Sequence, residues 1–237
     1  MANFVIHRAG SRGHADHGWL KTYYSFSFSS YYNPERVHFG VLRVLNDDEI
    51  AGGMGFGTHP HDNMEIITIP FTGALEHKDS MGNSSVIQAG DIQVMSAGKG
   101  ITHSEFNHYK DRPCTLFQIW LFPNKENVEP RYQQISLKVE DRHNNLQQVL
   151  SPSPNDPGVW IYQDAWFFMG NLDEGYSQSY QVKDKAHGMY LMVIDGKVEV
   201  NGQELERRDA IGFWDTPELQ IKALSKAEIL LMDIPMR

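Results

Sequence analysis

Short stretches that alternate between apolar and polar residues run through almost the whole chain and constrain its fold most strongly. The clearest are TYYSFSFSS (22–30), HFGVLRVLN (38–46), MEIITIPF (64–71), SSVIQAGDIQVMSAG (84–98) and CTLFQIWLF (114–122). Side chains two residues apart on a strand point to the same face of a sheet, so this alternation is typical of half-buried strands. Gly, Asn and Asp clusters such as KDSMGNSS (78–85) separate the stretches and favour turns. The pattern predicts an all-β sandwich or barrel, with one short helical turn possible in EDRHNNLQQVL (140–150).

The alternation is interrupted once by a polar segment, PNKENVEPRYQQ (123–134), which carries two prolines. After it the strand pattern resumes, with DGK (195–197) and NGQ (201–203) as expected hairpin turns. A chain of 237 residues is long enough for two domains of roughly 100–130 residues each. We therefore expect one domain over residues 1–125 and a second over 126–237.

Composition excludes several classes of partner and site. The net charge is −9 and no Lys/Arg cluster stands out, which argues against nucleic acid as a partner. The single cysteine, Cys114, cannot form an internal disulfide or a cysteine-rich zinc site. No segment approaches the roughly 18 apolar residues of a membrane span, and the N-terminus shows no signal peptide. These features predict a cytoplasmic protein without a membrane partner.

Two pairs of metal-binding residue types share the same two-residue spacing. His59 and His61 precede one strand-like run, and His103 and Glu105 form the second pair. On neighbouring strands, the pairs would direct three imidazoles and one carboxylate to one point. Such a donor set suits a divalent first-row metal, and with open positions it is typical of non-haem Fe(II) sites. The alternative is coincidence, since a chain with 11 histidines can place two of them near each other on its surface.

The residues around the two pairs resemble a known family. Gly53 lies six residues before His59 and Glu65 four after His61, while Asn107 lies four after His103. These frames are similar to the two cupin motifs, with Gly73 one residue later than the usual spacing. Within the cupins, the sequence resembles bacterial pirin-like proteins. The segments that carry the resemblance are HGWL, FSFSSYYNPE, LRVLNDD, GFGTHPH, MEII, EHKDSMGN, AGDIQ, MSAGKGITHSEFN, QIWLFP and PRYQQ.

The resemblance implies an all-β bicupin: two jelly-roll β-barrels with a metal site in the N-terminal barrel only and a degenerate C-terminal barrel. It implies one divalent transition metal, first Fe(II), with Ni, Co, Cu, Mn and Zn as alternatives. The implied ligands are His59, His61, His103 and Glu105. Three further residues are expected to contact and orient these ligands without binding the metal: Glu65, His77 and Asn107. Relatives often carry a histidine at the position of Tyr24, so any role that needs an imidazole there is in doubt.

Two functions follow from the resemblance. The first is quercetin 2,3-dioxygenase activity, in which O2 opens the ring of a flavonol and Glu105 is both ligand and base. The sequence has no nucleotide-binding fingerprint, which agrees with a reaction that needs no external redox cofactor. The second is a regulatory role, in which the metal-bearing surface docks on a protein partner without turnover. In either case we expect a monomer.

Overall fold

The structure, a computed structural model, describes residues 3–237, so the first two residues of the predicted N-terminal domain lie outside the described part. It contains 22 strands and two short 3-10 helices, Ala9–Ser11 and Val139–Arg142. The strands of the first half are β1 Asn3–His7, β2 Gly13–Asp16, β3 Leu20–Tyr24, β4 Leu42–Ile50, β5 Gly55–His61, β6 Glu65–Thr72, β7 Ala74–Asp79, β8 Ser84–Gln88, β9 Asp91–Ser96, β10 Ile101–Asn107 and β11 Cys114–Leu121. The remaining strands are β12 Arg131–Ser136, β13 Gln147–Ser151, β14 Val159–Trp160, β15 Trp166–Leu172, β16 Ser177–Gln181, β17 His187–Asp195, β18 Lys197–Val200, β19 Gln203–Glu206, β20 Ala210–Trp214, β21 Glu218–Ala223 and β22 Ala227–Pro235.

Each half of the chain forms a jelly-roll barrel of two facing sheets. In the N-terminal barrel, a seven-stranded sheet has the order β12-β9-β6-β11-β4-β3-β2 and a four-stranded sheet the order β5-β10-β7-β8. The C-terminal barrel repeats this with β1-β20-β17-β22-β15-β13-β14 and β16-β21-β18-β19. The all-β, two-barrel prediction is confirmed. Within residues 3–237, no helix is long and apolar enough to span a bilayer.

Two strands are exchanged between the halves. β1 pairs with β20 in the large sheet of the C-terminal barrel, and β12 pairs with β9 in the large sheet of the N-terminal barrel. The polar segment between the two predicted domains therefore contains most of a strand of the first barrel. The division at residue 125 stays a prediction about domains, and the sheets themselves cross it in both directions.

The two large sheets pack back to back. Their outer faces form one apolar core that contains residues of both barrels, among them Ile67, Ile69 and Phe117 from the first and Phe167 and Met232 from the second. Burial of this much apolar surface is the main force that holds the barrels together. The inner faces of the same strands line the barrel interiors, because side chains alternate along a strand.

The two barrel interiors differ in polarity. The C-terminal interior is filled by apolar side chains such as Leu191, Val193 and Leu231. The N-terminal interior has only two small apolar clusters, and polar side chains lie in a row across its large sheet. By register this row contains Tyr24, Asn46, Gln118, Thr68, Gln93 and Gln134. Burial of polar side chains destabilises a protein unless they form hydrogen bonds. The polar interior of the N-terminal barrel is therefore the candidate location of a functional site.

The predicted strand over residues 22–30 is shorter than expected. β3 ends at Tyr24 and the following chain bends, so Phe26 is separated from Tyr24 and Phe28, whose ring centroids are 5.8 Å apart. Phe26 lies in the core between the barrels, while Phe28 packs edge-on against Trp120 with ring centroids 5.3 Å apart. Tyr24 is buried and stacks on Tyr31. The alternation in this stretch therefore predicted the contact between Tyr24 and Phe28 but not the position of Phe26 in the core between the barrels.

Candidate metal centre

The small sheet of the N-terminal barrel brings the predicted ligands together on adjacent strands. β10 is central: His103 lies opposite His59 on one side and Asp79 on the other. One step further, Glu105 lies between Phe56 and His77. The register between β10 and β5 shifts at a bulge, which lies between the His103–His59 pair and the Glu105–Phe56 pair. Because β5, β10 and β7 are neighbours, two sequence pairs separated by more than 40 residues become one cluster.

The three histidine rings are close enough to share one ion. The ring centroids of His59 and His103 are 4.4 Å apart, and each lies 4.9 Å from His61. One nitrogen from each ring lies within 4.8 Å of the others. A second group of three donors contains His77, His103 and Glu105 within the same limit. Both groups found within residues 3–237 lie in the N-terminal barrel and share His103.

Hydrogen bonds to atoms that can only accept fix the tautomers of two of these histidines. His59 Nδ1 lies 2.8 Å from the Gly57 carbonyl oxygen, so Nδ1 must donate and Nε2 keeps its lone pair. His77 Nε2 lies 3.1 Å from the Asp79 carboxylate, so His77 Nδ1 must accept. That nitrogen lies 3.5 Å from His103 Nδ1, so His103 in turn donates from Nδ1 and keeps the lone pair on Nε2.

Two histidine nitrogens of the cluster form no hydrogen bond with the protein. Within the described chain, the buried Nε2 atoms of His61 and His103 have no hydrogen-bond partner. A buried polar atom without a partner is costly, and a bound cation would satisfy both. Burial lowers the pKa of His103 to about 2, and the charges of neighbouring histidines act in the same direction. Burial also lowers the pKa of His61 to about 4, so both rings are neutral at pH 7, as metal ligands must be.

The carboxylate of Glu105 lies deeper in the barrel. The residue is 4% exposed, and its two oxygens lie 3.1 and 3.0 Å from the amide nitrogen of Gln118. Burial raises the pKa of Glu105 to about 7; the Gln118 hydrogen bond opposes this rise and the nearby Asp48 carboxylate adds to it. A carboxyl group with this pKa can hold or release a proton near neutral pH.

The donor set fits a first-row divalent metal. Three imidazole nitrogens with free lone pairs and one carboxylate are the ligands that such metals prefer, and no thiolate competes. Cys114, the single cysteine, is buried in the apolar cluster at the far side of the interior. Three of the four predicted ligands, His59, His61 and His103, thus form one group, and Glu105 lies in a second group that shares His103; the binding of a metal by all four stays a proposal.

Glu65 does not lie where its spacing from His61 suggested. The chain turns at Asn63, which has a positive φ of 44°, and passes from β5 to β6 in the other sheet. On β6, Glu65 shares the face of Ile67, which packs between the barrels. Its carboxylate accepts a hydrogen bond from Ser96 at 2.6 Å. The expectation that it supports the metal ligands is corrected: even spacing preserves a face only while the strand continues.

The other two expected supports have different outcomes. Asn107 donates from its amide to the carbonyl oxygens of Ile50 and Arg112, so it holds a loop at the far end of β10 and does not touch the cluster. His77 is fully buried and lies between His103 and Asp79, as the hydrogen bonds above show. The structure thus places one of the three expected supports, His77, against a predicted ligand.

Two residues at the centre were not found from sequence. Asp79 lies two residues after His77, so the same-face rule used for the histidine pairs could have found it. Gln118 is the amide in the apolar run LFQIWL, and a polar residue inside a buried strand is a signal in itself. β16 and β21 occupy the corresponding positions in the small sheet of the C-terminal barrel. There Tyr180 lies opposite Leu219.

Aromatic side chains line one side of the cluster. Trp120 packs edge-on against His61 with ring centroids 4.9 Å apart, and Phe28 contacts Trp120 from the loop after β3. Tyr132 of β12 lies over His77 at 4.8 Å. Trp120 is partly exposed, so this wall reaches from the buried donors toward solvent.

Comparisons with known proteins agree with this geometry. A family described as Pirin matches residues 5–121, and one described as Quercetinase C-terminal cupin domain matches residues 148–234. A quercetin 2,3-dioxygenase of Escherichia coli is 40% identical over 97% of this chain and 98% of its own length. A pirin-like protein of Caulobacter vibrioides is 41% identical over 93% of this chain and 95% of its own length. The crystal structure of the bacterial pirin YhhW of Escherichia coli in complex with nickel(II) superposes with a TM-score of 0.93 at 39% identity, covering 98% of this chain and 99% of that one.

Proposed function

The chain belongs to the pirin family of cupin proteins, and from this premise we propose that it is a metal-dependent dioxygenase that uses O2 to open the ring of a flavonol such as quercetin. The observation that supports the proposal is the group of three imidazoles, His59, His61 and His103, which shares His103 with a second group that contains Glu105, in a polar barrel interior. Relatives that are at least 40% identical over nearly their whole length include a quercetin 2,3-dioxygenase. His59, His61, His103 and Glu105 are the proposed ligands.

Iron(II) is the proposed native metal, because histidines with one carboxylate and open positions are typical of non-haem Fe(II) oxygenases. A related pirin binds nickel(II), so the donor set also suits neighbouring metals. A metal bound here would supply a Lewis acid and a redox-active centre for the reaction between the flavonol and O2.

The side chains around the ligands have complementary roles. Glu105, with its pKa near 7, takes the proton of the flavonol 3-hydroxyl as a general base. Trp120 and Phe28 offer flat apolar faces against which the flavonol rings can pack. The Gly57 carbonyl oxygen holds Nδ1 of His59. Asp79 holds His77, which in turn contacts Nδ1 of His103, so both ligand histidines keep the lone pair on Nε2.

Metal content and O2 uptake test the proposal together. We expect one divalent metal per chain in the purified protein and equal consumption of O2 and quercetin after loading with Fe(II). The double variant His59→Ala/His61→Ala should lose the metal and the activity. The exposed histidines His38 and His143 provide the control, because His38→Ala/His143→Ala removes two imidazoles outside the cluster.

Two results would contradict the proposal in different ways. Unchanged metal content in the His59→Ala/His61→Ala variant would reject the metal site. A metal-loaded protein that consumes no O2 with any flavonol would reject the dioxygenase and favour docking on a protein partner instead.

A further inference from the structure

Gln118 is a buried polar residue in the middle of an apolar strand. It is 9% exposed, and its neighbours Phe117 and Ile119 face the core between the barrels. Alternation therefore turns Gln118 toward the interior of the N-terminal barrel. An amide buried there destabilises the protein unless its donor and acceptor are both satisfied.

Both ends of the Gln118 amide have partners. Its nitrogen lies 3.1 and 3.0 Å from the two oxygens of Glu105, and its oxygen lies 3.1 Å from the hydroxyl of Thr68. A carboxylate that binds a metal is ionised and only accepts hydrogen bonds, so in that form of Glu105 the amide nitrogen faces it. The Thr68 hydroxyl, which is fully buried, then donates to the amide oxygen. The orientation of the amide is thus determined by its contacts at both ends.

Glu105 has no alternative partner of this kind. Among residues 3–237, Gln118 provides every side-chain hydrogen bond to its carboxylate. Asp48 is also buried and lies close enough for its charge to raise the pKa of Glu105, but its carboxyl group offers a hydrogen-bond donor only when protonated. Without Gln118, no side-chain hydrogen bond would fix the direction of the Glu105 oxygens relative to His103.

We propose that Gln118 is a positioning residue, whose amide holds the plane of the Glu105 carboxylate so that one oxygen stays close to His103, while Thr68 holds the amide. The inference rests on the metal site of the proposed function. In this proposal, two strands that carry no metal ligand, β11 and β6, determine how the Glu105 carboxylate on β10 binds the metal. Charge-assisted hydrogen bonds of this type are stronger than neutral ones, and support of a metal ligand typically changes metal affinity or activity by about 10–100-fold.

The experiment uses Co(II) as the probe in the full-length protein. Gln118→Met keeps a similar volume but removes both polar ends, and Thr68→Val removes the hydroxyl alone. Gln93→Met is the matched control: Gln93 is 1% exposed, lies opposite Thr68 in the same row, and makes no hydrogen bond to Glu105. Co(II) affinity and the visible absorption spectrum of the bound Co(II) are measured for all three variants, and kcat and KM for quercetin are measured after loading with Fe(II).

We expect Gln118→Met to bind Co(II) about 10–100-fold more weakly, with a changed Co(II) spectrum and a lower kcat at similar KM. Thr68→Val should change the same quantities in the same direction by a smaller factor. Gln93→Met should match the wild type in affinity and spectrum, which separates an effect on the carboxylate from the cost of altering the polar row.

A wild-type Co(II) spectrum and affinity in Gln118→Met would overturn the proposal. If that variant does not fold, the same result in Thr68→Val overturns it. A wild-type protein that binds no Co(II) would reject the metal site and this inference with it. A protein that binds Co(II) but shows no O2 uptake would reject the dioxygenase alone, and the spectra would still decide the role of Gln118.

Discussion

At the scale of single residues, the candidate metal centre depends on acceptors that lie behind the ligands. The Gly57 carbonyl and the Asp79 carboxylate can only accept, and so they determine which nitrogens of His59, His77 and His103 carry protons. Such partners orient a metal-binding histidine and fix its tautomer. They leave the lone pair on Nε2 in both His59 and His103, the two histidines that lie opposite each other on β5 and β10.

Glu105 and Glu65, which lie near the histidines in the sequence, are predicted to differ in their effect on the metal. Glu105→Gln should abolish flavonol cleavage and weaken metal binding severely, because an amide is neither an anionic ligand nor a base. Glu65→Gln should keep the metal and most of the activity, since Glu65 faces Ser96 on the other side of its strand. Metal stoichiometry and O2 uptake, measured side by side, check both. An empty site in Glu65→Gln together with a filled site in Glu105→Gln would reverse the assignment.

At the scale of elements, whether a glycine turn forms a hairpin depends on whether the two strands it connects lie in the same sheet. Asn201 and Gly202 have positive φ values of 47° and 79° and join β18 to β19, where Val200 pairs with Gln203. This is the two-residue hairpin that the sequence predicts. The Asp195–Lys197 turn also contains a glycine, Gly196 with φ 81°, but it leads from β17 into the other sheet. The hairpin prediction is wrong there, because the jelly-roll topology separates the two strands.

Gly202 allows the cost of the backbone conformation to be measured alone. A Cβ atom at Gly202 would have no neighbour within 4 Å, so Gly202→Ala should act only through the positive φ. We expect it to lower the free energy of unfolding by about 1 kcal/mol. Gly10 is the control, because its surroundings are equally open and its φ is not positive. Urea unfolding of both variants checks this, and equal stability of the two would contradict it.

At the scale of the whole molecule, the barrels are joined by exchanged strands and a shared apolar core. His7, on the exchanged strand β1, shows how closely they fit: it is 5% exposed and its Nδ1 lies 2.9 Å from the hydroxyl of Tyr190 in the C-terminal barrel. Its ring also packs edge-on against Phe26 of the N-terminal half. A charge at this position would lie in the interface between the barrels.

The pH dependence of stability should reveal this histidine. Burial lowers the pKa of His7 to about 4, and the charge of Arg36 acts in the same direction. In the unfolded chain the pKa is about 6.5, so the stabilising contribution is complete above that pH. It is lost as the pH falls toward 4, because only the unfolded chain takes up the proton.

His7→Gln keeps a side chain that can bond Tyr190 and cannot be protonated. Between pH 7 and pH 4.5, the metal-free wild type should lose about 2–3 kcal/mol more unfolding free energy than this variant. Urea unfolding at the two pH values measures the difference, in which the titration of all other groups cancels. Equal losses would show that His7 is accessible to protons in the folded state.

Short-range patterns were sufficient to predict much of this protein. The two-residue period predicted an all-β fold, and the pairs His59/His61 and His103/Glu105 could be assigned to common faces, because the geometry of one strand determines which neighbours share a side. Resemblance in the same motifs indicated the family and the two barrels. These properties depend on a few consecutive residues, so the sequence alone contained them.

Only the tertiary structure decided which strands meet and in what register. The sequence did not indicate that β1 and β12 exchange barrels, that Glu65 changes sheet after Asn63, or that Gln118 reaches Glu105 from the opposite sheet. Each of these depends on pairing between residues far apart in the chain, and a shift of one residue in register turns every side chain to the other face. The ligands were therefore predictable one strand at a time, whereas the groups that hold them became visible only when the two sheets of the barrel were closed against each other.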